Sequence, residues 1–258
     1  MTTIDKSQLT ETERTGKQWK SLYLLGGIVT LFVILASILD IVISMLLGGD
    51  PSSIPQTAVG RFAQFQSNPM LGLYYLDLLN MTTSIFMIPA FFALYAAHRK
   101  VNKVYSALAV ILSFVGTAVF ITNNAALSML SLSGKYALAT TDAQKNLLAA
   151  AGEAMLARGS HGSPGAFLGF LLPIVATLIM SLVMLKGGVF GKINACFGIA
   201  GSALFILYFI FTAFIPNSEN VAMVIATPGG LLSIIWMIMF AIRFFKLQYL
   251  EEDGIIGK

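Results

Sequence analysis

Residues 119–129, VFITNNAALSM, set two adjacent asparagines, Asn123 and Asn124, at the end of a long apolar run. Hydrocarbon is a poor solvent for amides, because it offers no hydrogen-bond partner. Either the apolar element stops before them, or they face something polar inside the protein. The run preceding them, Ala107–Ile121, is only fifteen residues. A membrane-crossing helix needs roughly 20 residues to traverse a hydrocarbon layer about 30 Å thick. The helix is therefore expected to continue through the asparagines towards Leu127, which places both amides just inside one membrane boundary.

The rest of the chain is built in the same way. Of 258 residues, 57% are hydrophobic and 11% charged, and the mean hydropathy is +0.81. Soluble domains carry about 25% charged residues, so a soluble fold is excluded. Six apolar runs stand out, at about 22–47, 70–97, 104–127, 164–185, 193–215 and 221–245. The backbone of each must satisfy its own polar groups in lipid, which predicts helices. The expected fold is all-α, a polytopic bundle of six transmembrane helices spanning residues 21–247. Residues 1–20 and 248–258 are expected as tails.

Basic residues orient the bundle. Twelve fall on one side: Lys6, Arg14, Lys17, Lys20, Arg99, Lys100, Lys103, Lys186, Lys192, Arg243, Lys246 and Lys258. Four fall on the other: Arg61, Lys135, Lys145 and Arg158. The positive-inside rule then predicts cytoplasmic termini, with the longer loops, about 48–69 and 128–163, facing outward. The polar start of the chain, MTTIDKSQLTETERTGKQWK, lacks the pattern of a secretory signal. The net charge of +4 belongs to this sidedness and does not point to nucleic acid.

The second outer loop contains a helix signal. Thr141 followed by Gln144 has capping-box spacing. Leu147, Leu148, Ala151 and Met155 then recur at helical spacing. Residues 142–157 are expected to form an amphipathic helix on the outer surface, lying on lipid headgroups or covering the bundle.

Two ionisable side chains fall within the spans, Asp40 and Asp77, and such residues default to functional hypotheses. Asp40 shares a helix face with Ser37 and Ser44. Asp77 is expected to share one with Tyr74 and Ser84, with Asn80 beside them. Asp40 lies about 10 Å below the outer end of its span and Asp77 at a similar depth. Asn123, Asn124, Tyr208 and Thr212 all fall in that same outer half. Three readings compete: polar contacts that hold helices together, a pocket for a small ligand or a hard cation held by Asp40 and Asp77, and an acid–base pair. His161, in the loop RGSHGSPG, is within reach of Asp40 or Asp77 as ligand or proton carrier, although a loop histidine is ordinarily solvated. His98 reads as an interface residue at the basic end, and Cys196, the only cysteine, as a small buried hydrophobe. There is no HExxH, GxSxG or P-loop pattern, and no cofactor is expected.

The stretches DLLNMTTSIFMIPAFFALYAAHRK, FITNNAALSMLSLSGKYALATTDAQKNLLAAAGEAML and VMLKGGVFGKINACFGIAG together resemble a family of prokaryotic six-helix membrane proteins known only as a domain of unknown function. The resemblance covers about residues 20–248 and implies a prokaryotic plasma-membrane location, but no activity. The expected role is a non-enzymatic membrane protein that binds a small ligand, ion or partner at the outer polar pocket, with membrane lipids around it. The alternatives are a secondary transporter or transporter-like subunit, a membrane enzyme acting on lipid or an outer-leaflet substrate, and an accessory subunit of a larger complex.

Overall fold

The computed structural model describes residues 6–46 and 54–250, and every regular element among them is an α-helix. The helices are α1 (Lys6–Leu46), α2 (Ala58–Ser67), α3 (Pro69–Tyr74), α4 (Leu78–His98), α5 (Lys103–Asn123), α6 (Ala126–Leu138), α7 (Asp142–Gly159), α8 (Phe167–Gly187), α9 (Lys192–Phe214) and α10 (Glu219–Leu250). Six stretches are long and apolar enough to cross a membrane, on α1, α4, α5 running on into α6, α8, α9 and α10. The expected all-α bundle is what forms, and the chain is a multi-pass membrane protein. Of the expected tails, residues 6–20 continue α1 as helix, while residues 1–5 and 251–258 lie outside the described residues, as do 47–53 of the first long loop.

The six long helices close into a ring. Helix α1 packs on α4 and α10, α4 on α5, α5 on α8, α8 on α9, and α9 on α10. The outside of the ring is apolar: Ile28, Leu31, Leu35 and Leu39 of α1 and Ile111 of α5 are exposed. Such continuous apolar surface, on helices long enough to cross a membrane, is what a bundle presents to lipid. Cys196, expected inside, is exposed as well. Within the membrane, helix contact depends on close backbone approach rather than on hydrophobic burial. Gly116 of α5 meets the ring of Pro173 on α8, and Gly169 brings α8 onto the Phe120 backbone, where an added Cβ would lie 3.0 Å from the Phe120 Cα.

Helices α2, α3, α6 and α7 form a cap over one end of the ring, with a core of its own around Phe62, Phe65, Leu76, Met129 and Leu156. Glu153 of α7 ties the cap together by accepting from the Ala58 N–H at 2.7 Å, at the first turn of α2. The opposite end carries Arg99, Lys100, Lys103, Lys186 and Lys192 at helix termini and turns, and Arg243 and Lys246 within the last ten residues of α10. His98 lies at this basic end but is fully buried, stacked on Phe190, rather than at an interface.

Two of the expected continuous helices are broken. The second span does not run from Met70: the chain turns at residues 75–77 and α4 starts at Leu78. The third runs on past the asparagines towards Leu127 and beyond, as expected, but not as one helix: α5 ends at Asn123 and α6 starts at Ala126. One side chain accounts for both breaks. Asn124 Oδ1 accepts from the Ala126 N–H at 3.0 Å, and Asn124 Nδ2 donates to the Leu76 carbonyl at 2.8 Å. It thereby satisfies main-chain groups that the broken helices release. Asn124→Ala orphans the Leu76 carbonyl and the Ala126 N–H, and is expected to cost about 2 kcal/mol, read as a lower thermal midpoint of the protein in lipid nanodiscs.

The cap helix α7 starts where the sequence indicates. Thr141 Oγ1 accepts from the Gln144 N–H at 3.3 Å, although the Gln144 side chain reaches back to Thr140 rather than to the cap residue itself. The buried stripe differs from the expected one. Leu147 is exposed, and Gly152, Leu156 and Gly159 are the residues turned inward. Glycine carries no hydropathy signal, so a stripe made partly of glycine is invisible to an apolar count.

Candidate functional site

Asp77 stands at the first break. Its backbone is left-handed, with φ 62° and ψ 26°, a conformation that Asp and Asn tolerate better than most residues. It is therefore not on a helix face with Tyr74 and Ser84. The turn instead aims its carboxylate inward, where only 7% of the side chain is exposed. Asn80 Nδ2 donates to Asp77 Oδ1 at 2.8 Å, and His161 Nδ1 lies 3.0 Å from both carboxylate oxygens.

His161 arrives from the loop between α7 and α8. Gly162, at φ 75°, lets that loop double back over Thr212 of α9. The imidazole is packed against Phe170, edge-on at 5.3 Å, and against Phe209 at 6.0 Å. Its Nε2 is 2.6 Å from the Tyr208 hydroxyl. Both ring nitrogens are thus bonded, and the histidine joins three separate parts of the fold: the α3–α4 turn, the α7–α8 loop and α9. The surrounding rings disfavour a charged imidazole, but the Asp77 carboxylate and the Tyr208 hydroxyl outweigh them and hold His161 well above its ordinary value of 6.5. At neutral pH it is an imidazolium, donating to Asp77 on one side and to Tyr208 on the other.

The remaining expected residues divide. Asp40 of α1 is half-buried, and its main-chain carbonyl accepts from the Tyr74 hydroxyl at 3.2 Å. Tyr74 is pushed above the usual tyrosine range by burial and by its bond to Asp40, so it stays a donor. Asp40 is near enough to Asp77 and His161 to feel their charge. Asn123 points elsewhere: it accepts from Arg158 Nε at 2.8 Å and donates to the Gly165 carbonyl at 3.1 Å. It braces the loop that carries His161 rather than lining the mouth. Asn124 locks the helix breaks behind it.

Arg61 joins the cluster without having been singled out in the sequence. It is 6% exposed, donates to Gln64 Oε1 at 3.2 Å, and has no protein partner at Nε. Burial lowers its guanidinium to about 10 against the pull of Asp77, so it keeps its charge at neutral pH. Its signal was the placement of one arginine between apolar neighbours in VGRFAQF, where a solvated residue fits poorly. Among the described residues no group of three or more His, Cys, Asp or Glu side chains is placed to hold a metal ion.

One to two helical turns below the mouth, α4, α5, α8, α9 and α10 line a partly open cavity of about 180 Å³. Ser84, Ser113, Thr117, Thr177, Ser202 and Trp236 contribute to its lining. Phe205 separates it from the mouth, with its ring edge-on to Tyr208 at 6.3 Å.

Residues 25–242 match a family described as a domain of unknown function, DUF4386, and the chain belongs to that family. The match begins within α1 and ends within α10, and so takes in both the ring and the cap. No curated protein and no solved structure matches the chain.

Proposed function

We propose that this DUF4386 protein is a non-enzymatic, ligand-binding membrane protein whose recognition centre is the polar mouth formed by Asp77, His161 and Tyr208. The basic residues gathered at the opposite end support a reading in which that end is cytoplasmic, in a prokaryotic plasma membrane, and the cap and the mouth face outward. The observation that carries the reading is His161, bonded at both ring nitrogens to partners from two other parts of the fold. A group held this way is a latch. A small ligand presenting N–H donors or an ammonium group competes with the imidazolium for the Asp77 carboxylate, and releases the loop when it wins.

The order carboxylate, imidazole, hydroxyl also invites an enzymatic reading, with His161 drawing a proton from Tyr208. Its raised affinity for protons opposes that role, because an imidazolium has no lone pair with which to act as a base. A bare hard cation fits less well than an organic donor, since both Asp77 oxygens already face His161 and one also holds Asn80. A transporter needs a polar path onward to the cytoplasm, and below the cavity Phe240, Phe244 and Phe190 pack ring to ring, with His98 stacked on Phe190.

The test is native mass spectrometry of the protein released from nanodiscs. The wild type is expected to carry a small-molecule adduct that is lost in Asp77→Asn combined with Tyr208→Phe. An adduct retained in full by the double variant, or none in the wild type purified from its native membrane, overturns the reading.

A further inference from the structure

The latch makes no use of Arg61. This residue lies on the buried face of α2, with Ala58, Phe62 and Phe65. That face packs on α3 and the turn that follows it. Leu76 shares a core with Phe62 and Phe65, and a Cβ built on Gly72 would lie 2.6 Å from the Phe65 ring. The guanidinium is held over the turn, within the field of Asp77 and Tyr75. Burying a cation is costly unless it is paired and hydrogen-bonded. Arg61 is poorly provided on both counts. Nη1 donates to Gln64 Oε1 at 3.2 Å. Nε is sealed in without a partner; Nη2 also lacks one among the described residues but is not sealed. The only ion pair among the described residues is His161 with Asp77. Asp77 is already engaged, with His161 at both oxygens and Asn80 at one. Asp40 feels the charge of Asp77 and His161 but not that of Arg61. A nearly dry guanidinium beside the mouth is left without an anion.

We infer that the ligand of the mouth is a small zwitterion of the amino-acid class, with its ammonium group on Asp77 and its carboxylate on Arg61. This rests on the reading of the mouth as a ligand site and adds the ligand's second charge. A guanidinium grips a carboxylate through paired N–H donors, and Nη2 is unbonded and open to supply one of them. The two ends of the ligand do different work. The ammonium group replaces the imidazolium at Asp77, and the carboxylate gives Arg61 the anion it lacks. A plain amine opens the latch but leaves Arg61 as it was. A plain carboxylate meets Arg61 but cannot displace His161 from Asp77.

The test is calorimetric titration of the protein in nanodiscs at neutral pH. The probes are glycine, β-alanine and γ-aminobutyrate, each set against the amine and the acid that share its carbon chain: methylamine and acetate, ethylamine and propionate, propylamine and butyrate. The zwitterion whose length spans the two groups is expected to bind roughly tenfold or more tightly than its amine, the worth of one charge-assisted hydrogen bond, and the acids not to bind. Arg61→Gln should bring that zwitterion down to the level of its amine and leave the amine itself unchanged. Zwitterions no tighter than their amines, or a folded Arg61→Gln variant that keeps the preference, overturn the inference while the amine site at Asp77 stands. Failure of amines and zwitterions alike overturns the ligand reading of the mouth, and this inference with it. The comparison of zwitterion with amine uses the wild type alone, so it decides the matter even where Arg61→Gln fails to fold.

Discussion

Replacing Gly159 with valine is expected to destabilise the protein by about 3 kcal/mol, at the upper end of overpacking costs. Gly159 is the last residue of α7, and a Cβ built on it runs into the main-chain carbonyl of Asn123 and comes within 3.0 Å of the Ala125 N–H. Both are backbone atoms at the α5–α6 break, so neither can rotate aside. The same contact aligns Arg158 with its acceptors, Asn123 Oδ1 at 2.8 Å and the Thr122 carbonyl at 3.0 Å. Valine therefore pushes the start of the His161 loop away from the ring as well as straining it. The thermal midpoint should fall by roughly 6–12 °C for a chain of this size. Gly134→Ala is the control: nothing lies within 4 Å of a Cβ there, and alanine in the middle of α6 should be neutral or stabilising by up to about 1 kcal/mol. Equal midpoints for the two variants would show that the α7–α5 contact is not tight.

The sensitivity of this contact also marks where sequence reading reaches its limit. The six spans and the gathering of Asp40, Asp77, Asn124 and Tyr208 at one end were legible, because hydropathy and helical rise determine depth directly. The breaks at residues 75–77 and 124–125 were not. A hydropathy window averages across them, and a helix in lipid stops only where some group takes over the bonds it releases. Asn124 does so by reaching Leu76, 48 residues away in the chain, which no local pattern encodes. The pairing of His161 with Asp77 bridges 84 residues and depends on how α7 returns to the ring. That return is governed in turn by Gly152 and Gly159, whose contribution is the absence of a side chain. The asparagine pair was the visible trace of this arrangement. Its two members do different work: Asn123 holds the loop, and Asn124 holds the breaks.

Asp77→Asn is expected to remove most of the pH dependence of stability and to lower stability at pH 6.5 by about 1–2 kcal/mol. Asparagine keeps the left-handed backbone tolerable and still accepts from His161, so the change isolates the charge. Breaking a fully buried ion pair costs about 3–5 kcal/mol. The His161 side chain is 37% exposed, so water screens the pair and the smaller figure applies. The sign follows from the direction of the shift. His161 titrates near 6.5 when unfolded and well above that in the folded protein. Below about 6.5 both states hold the proton and the pair contributes in full. As pH rises through the folded value the proton leaves, and the contribution goes with it. Wild-type thermal midpoints should therefore decline as pH is raised above 6.5, while those of Asp77→Asn stay nearly level over the same interval. Asp40, Arg61 and Tyr208 also face this group and are unchanged in the variant, so a difference between the two curves belongs to Asp77. Parallel curves would mean that the carboxylate does not hold the imidazolium, and the latch would lose its physical basis. Divergent curves would mean that the mouth is held shut by a single proton. A ligand with an ammonium group could then open it by supplying the same charge from outside.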